Sequence, residues 1–169
     1  MRNWIKVGFL TLALLGAMNF VQAQKFGYVN SAAILADMAE VKQADANLEA
    51  LQQQLQKKGQ GMLEKLQTDY AEVRRKVDSG ELSPIQQEEE GKRLQAEEAK
   101  IAQFEQDMIK QVQDKREELL GPIYEKVNNA ISDVAKENGY QFIFDQGVLL
   151  FAEESQDVSA MVKAKLGIQ

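Results

Sequence analysis

A run of apolar residues at steps of three and four, from about Ile34 to about Val134, constrains this sequence most. On the outgoing side it includes Met38, Val41, Leu48, Leu51, Leu55, Met62, Leu66, Tyr70, Val73 and Val77. On the return side it includes Leu94, Ile101, Phe104, Met108, Val112, Leu119, Ile123, Val127 and Ile131. Residues three and four apart share one stripe of a helix. The positions between are mostly Gln, Glu, Lys and Asp. So narrow a stripe on so long a helix cannot line a globular core; it buries itself against one or two partner helices. At the midpoint, Asp78-Ser79-Gly80-Glu81-Leu82 reads as a turn. Ser83-Pro84-Ile85-Gln86 then restarts a helix, with a capping Ser, Pro at the first helical position and Gln at the capping-box position. The expectation is a protruding antiparallel coiled-coil hairpin over 34–134, with its turn near 78–83. An arm of roughly 40 residues would reach about 60 Å at 1.5 Å per residue.

Two places along the arm are soft. Gly59-Gln60-Gly61 sits halfway out, and each Gly costs about 1 kcal/mol against Ala in a helix interior. Beyond it Met62, Leu66 and Tyr70 step by four, which turns the seam around the helix. Gly59 and Gly61 are therefore candidate arm hinges; the plain alternative is a frayed patch without a role. Pro122 lacks an amide hydrogen and clashes with the carbonyl of Glu118, so Gly121-Pro122 should interrupt the return helix with a kink, a second candidate hinge. Folding about residue 80 sets Gly59 and Gly61 opposite roughly Ala102 and Lys100, and Gly121 opposite roughly Ala39.

The flanks, 24–33 and 135–169, read as a small body. Phe26-Gly27-Tyr28-Val29 is strand-like, and Asn30 or Ser31 caps the helix that follows. The return helix should stop at Asn138-Gly139. Tyr140–Asp145 and Val148–Ala152, around Gln146-Gly147, predict a β-hairpin. Asp157 can cap a last helix in which Val158, Met161, Val162 and Leu166 share a face. The fold class is α+β, mostly α. Three short strands leave edges and an apolar face uncovered, so self-association through them is expected.

Composition narrows the chemistry. There is no His and no Cys, which removes the usual neutral-pH base, the commonest metal ligand and all thiol chemistry. The formal charge of −6 argues against nucleic-acid binding. No convergent nucleophile, base or metal set is visible, and no cofactor is implied. Residues 1–23 have a secretory leader's three parts: Arg2 and Lys6, the apolar run Val7–Met18, and Val21-Gln22-Ala23 before a cut after Ala23. The apolar run is short for a membrane span of about 20 residues. No Cys follows it to carry a lipid. Losing Arg2 and Lys6 takes the charge from −6 to −8. A cysteine-free exported chain fits the periplasm.

These features together resemble the Skp/OmpH family of periplasmic chaperones over the whole mature sequence. The resemblance rests on Lys25-Phe26-Gly27-Tyr28-Val29-Asn30, the polar helical hairpin, Phe104-Glu105-Gln106-Asp107 on its return arm, and the Phe142-Ile143-Phe144-Asp145 strand. It implies a homotrimer in which strands from three chains form a β-barrel-like core. Three hairpins then project as tentacles around a cavity that holds unfolded outer-membrane β-barrel proteins, without nucleotide. Carried over, Phe26, Tyr28 and Val29 match the first strand, Phe142, Ile143 and Phe144 the second, and Val148, Leu149, Leu150 and Phe151 the third. These are assembly residues.

One departure matters. Family members can be basic, but between Lys57 and Arg93 this chain balances eight cations against eight carboxylates. Arg74-Arg75-Lys76 is the one dense basic cluster, a candidate tip contact with a client or membrane surface; the plainer meaning is a solvated helix face. No lipopolysaccharide site is carried over. An ATP-independent holdase is the leading function. The alternative, from another class, is an architectural adaptor whose hairpin tip docks into a periplasmic envelope or secretion complex.

Overall fold

The structure, a computed structural model, describes residues 24–168. The leader reading falls outside them. Strand β1 (Phe26–Val29) leads into a short helix α1 (Ser31–Asp37), then the outgoing arm helix α2 (Ala39–Asp78) and the return helix α3 (Pro84–Asn138). Strand β2 (Phe142–Asp145), two 3-10 turns (Gln146–Val148 and Glu154–Gln156) and helix α4 (Ser159–Leu166) complete the chain.

The ends of these elements follow from local chemistry. Asn30 caps α1, its side chain accepting from the amide of Ala33 at 2.8 Å. Ser83 and Gln86 form a complete capping box with Pro84 at the first turn of α3. Gly139 closes α3 at φ 70°, a conformation that costs Gly little and other residues more. Asp157 accepts from the Ser159 amide at 2.7 Å at the start of α4.

Three sequence expectations need correction. First, the outgoing helix is not continuous from Ile34. It breaks at Met38, whose ψ of 127° is extended, and α2 starts only at Ala39. The break seats Met38 in the core at 1% exposure, so packing overrides an unbroken helical pattern. Second, Gly121-Pro122 does not interrupt the return helix; α3 runs through it to Asn138. Buried Leu120 and Ile123 on either side hold that turn against the body, while Pro122 faces outward. Third, 148–151 is not a strand and no β-hairpin forms. The Asp145 side chain takes the Gly147 amide at 2.8 Å and draws the chain into a 3-10 turn. Among the described residues Val148, Leu150 and Phe151 then have no strand beside them and stand exposed.

Among the described residues the sheet therefore has two strands, and they are parallel: Phe26 pairs with Phe142, Gly27 with Ile143, Tyr28 with Phe144 and Val29 with Asp145. A single bridge sets Asp157 beside Tyr28, the Val158 amide donating to the Tyr28 carbonyl at 2.9 Å. β1 is thus flanked on both sides, and β2 keeps an open edge among the described residues. Gly27 is tightly enclosed: a Cβ there would meet the Tyr140 ring at 3.0 Å and Val158 at 3.1 Å, so those side chains would have to give by a few tenths of an ångström.

The body core joins Val29, Ile34 and Met38 to Leu120, Ile123, Val127, Ala130 and Val134 of α3, with Val158 and Val162 of the C-terminal segment. The α3 set steps by three and four. Half-buried Leu119 and Ile131 widen the face, because the root of α3 packs on both α2 and α4. Farther out the seam thins to Leu48, Leu55, Leu94 and Ile101.

Candidate functional site

The 40 residues of α2 extend about 60 Å at 1.5 Å per residue, so most of the arm lies beyond the body. Polar contacts tie its two helices along the way. Near the root Lys126 donates to Glu40 at 2.7 Å. In the outer arm Arg93 meets Asp69 at 2.8 Å, and the Tyr70 hydroxyl donates to Glu98 at 2.9 Å. Hydrogen bonds from Lys65 and then Arg93 hold the Asp69 carboxyl below its usual range. The bond from Lys126 does the same for Glu40.

Gly59 lies inside an unbroken helix, against Phe104 rather than Ala102. Gly61 has open space around it. Neither marks a break, so any hinge there would have to act by bending an intact helix. At the tip the three basic residues are each already paired: Arg74 with Asp78 at 4.0 Å, Arg75 with Glu81 at 2.9 Å, and Lys76 with Glu72 at 2.7 Å. All three ion pairs are solvent-exposed and so individually weak. Ile85, beside them, is 72% exposed.

At the other end of the molecule, the sheet turns an aromatic face outward. Phe26 stacks on Phe142 at 6.0 Å between ring centroids, and Phe142 on Phe144 at 6.2 Å. Phe142 is 57% exposed; Phe26 and Phe144 are also exposed, whereas Tyr28 and Val29 are buried within the chain. Ile143 points the other way and packs on the core. Leu150 is fully exposed, at 106%, and Leu149 is half-buried. Ten residues singled out in the sequence thus divide in two: Tyr28, Val29, Ile143 and Leu149 are buried or half-buried, while the three Phe side chains of the strands, Val148, Leu150 and Phe151 lack a cover among the described residues. The pairing of Lys25 with Tyr140, whose ring centroid lies 4.1 Å from the ammonium, had no sequence signal.

The described residues hold no group of three or more metal-ligating side chains, and no helix among them is long and apolar enough to cross a membrane. Against known proteins, the family model "Outer membrane protein (OmpH-like)" matches residues 25–166. The chain belongs to the Skp/OmpH family. Skp/OmpH proteins are chaperones, not enzymes. Chaperone protein Skp of Yersinia enterocolitica is 27% identical over 164 residues, covering 96% of this chain and 97% of that protein. A crystal structure described as an OmpH-like outer membrane chaperone, from Caulobacter crescentus, superposes with a TM-score of 0.73 at 20% identity. It covers 85% of this chain and 83% of its own, and shows that the two share a fold.

Proposed function

We propose that this Skp/OmpH protein is an ATP-independent periplasmic holdase. It is exported by a leader cleaved after Ala23, and several copies, most simply three, join through the body and hold unfolded outer-membrane β-barrel proteins between their arms. One observation carries the reading: the uncovered aromatic face of Phe26, Phe142 and Phe144 lies beside the open edge of β2, at the base of a long arm.

An exposed apolar face beside an unpaired strand edge is a template for association. Copies joined there would cover Leu150 and Phe151 as well. Their arms would then surround a common space. Most of the arm's apolar seam is spent on its own two helices, which leaves a mostly polar wall. Such a wall can hold an unfolded guest by many weak contacts without becoming one large apolar patch that aggregates.

The test is suppression of aggregation. A urea-unfolded outer-membrane β-barrel protein is diluted into buffer with or without the mature chain. The reading expects the client to stay soluble at about one client per assembly, without nucleotide. Unchanged aggregation would end it.

A further inference from the structure

We propose that the middle of the arm carries the principal client contact, a groove with a single charged side chain in its lining that takes extended segments with alternating apolar and polar side chains. This inference rests on the holdase reading and names the surface that reading leaves open. Two adjoining hollows share Gln56 and Met108 and so form one groove along the arm. Its floor is Leu63, Phe104, Met108, Ile109 and Val112. Its rim is carboxamide: Gln52, Gln56, Gln60 and Gln113.

Charge decides what fits. The lining has a single ionised side chain, Glu105, on an arm otherwise covered in charges. Lys58 approaches Phe104, 5.0 Å from its centroid, without lining the groove. Leu63 and Ile109 are 44% and 52% exposed, so the floor is open to a guest.

A membrane-spanning β-strand alternates apolar and polar side chains. Its apolar face suits this floor. Unfolded, its backbone also needs both donors and acceptors, and each Gln side chain supplies both. From Gln52 to Leu63 the groove runs about 17 Å along the helix, room for about five extended residues. A neighbouring arm is a poorer occupant. Its outer faces carry ion pairs such as Lys110–Asp114 and Lys115–Glu118, which docking would strip of water.

The experiment uses the full mature chain with a photo-reactive amino acid at Gln56 or Gln60 and a urea-unfolded outer-membrane β-barrel protein as client. Cross-links should form to the client, within its spanning-strand segments. Leu63→Lys and Ile109→Lys should each weaken client binding by roughly tenfold, because a lysine at the floor must lose water to admit a guest. Ile85→Lys at the tip should leave binding unchanged. Gln56→Glu with Gln60→Glu, at solvent-exposed positions that leave the fold intact, should weaken binding in the same direction. Cross-links to another arm instead of the client would overturn the proposal, as would floor variants that bind like the parent. Failure of the parent itself to hold the client would overturn the holdase reading with it.

Discussion

Gly59 of the outgoing helix lies against the ring of Phe104 on the return helix; a Cβ at residue 59 would stand 3.3 Å from Cε1. A glycine that looks like a soft point in one helix is therefore also a seat for a side chain of the other. Gly61, two residues on, touches nothing that a Cβ would disturb. The two glycines should respond differently to the same change.

Gly61→Ala gains helix propensity with no new contact and should raise stability by about 0.5–1 kcal/mol in thermal or urea unfolding. Gly59→Ala gains the same propensity but crowds Phe104, so its gain should be smaller. If this stretch is also a bending point, the double variant should weaken binding of large clients more than small ones. Equal weakening of both would count against the hinge.

The outer arm should loosen in acid. Asp69 accepts from Lys65 at 2.7 Å and from Arg93, on the other helix, at 2.8 Å. Its folded carboxyl titrates below the ordinary value of about 3.9. The ion pair's contribution is therefore complete above that value and is lost as pH falls through the lower folded value. Asp69→Asn should melt below the parent at neutral pH, and the difference should shrink to nothing in strong acid. A pH-independent difference would show that Asp69 acts through packing.

The uncovered aromatic face should govern assembly. Phe142→Asp puts a charge at the centre of the stacked rings, so the assembled species should dissociate in sedimentation velocity while its helical circular dichroism persists. Ile34→Ala, in the core at 0% exposure, should do the reverse. It should cost about 2–4 kcal/mol of stability with no direct effect on the aromatic face.

Local signals in the sequence were enough for the hairpin turn and for both ends of the return helix. Ser83, Pro84 and Gln86 specify a helix start by side-chain reach alone, and Gly139 a helix end by its φ. What could not be read depended on partners far away in the chain. Met38 carries no Pro or Gly signal; its helix breaks because the core formed with Ile123 and Val127 of the return helix needs that side chain. Val148–Phe151 has a strand's composition, but a strand also needs a neighbour, and the described residues supply none beside it. Leu120 and Ala130 are buried where the pattern favoured Leu119 and Ile131, because the root of α3 packs on several elements and presents a broad face. At Gly121-Pro122 the local signal predicts a break, but burial of Leu120 and Ile123 carries the helix through, with Pro122 leaving it one hydrogen bond short. For the site, the aromatic residues of both strands were legible. The parallel register that stacks Phe26 on Phe142 was not, because both pairing directions fit the same composition.

The central claim is that copies joined at the body hold one unfolded client between their arms. Native mass spectrometry of the mature chain, alone and with an unfolded outer-membrane β-barrel protein, tests it most directly. The account predicts a trimer that gains a single client in one step. A monomer that gains none would contradict it.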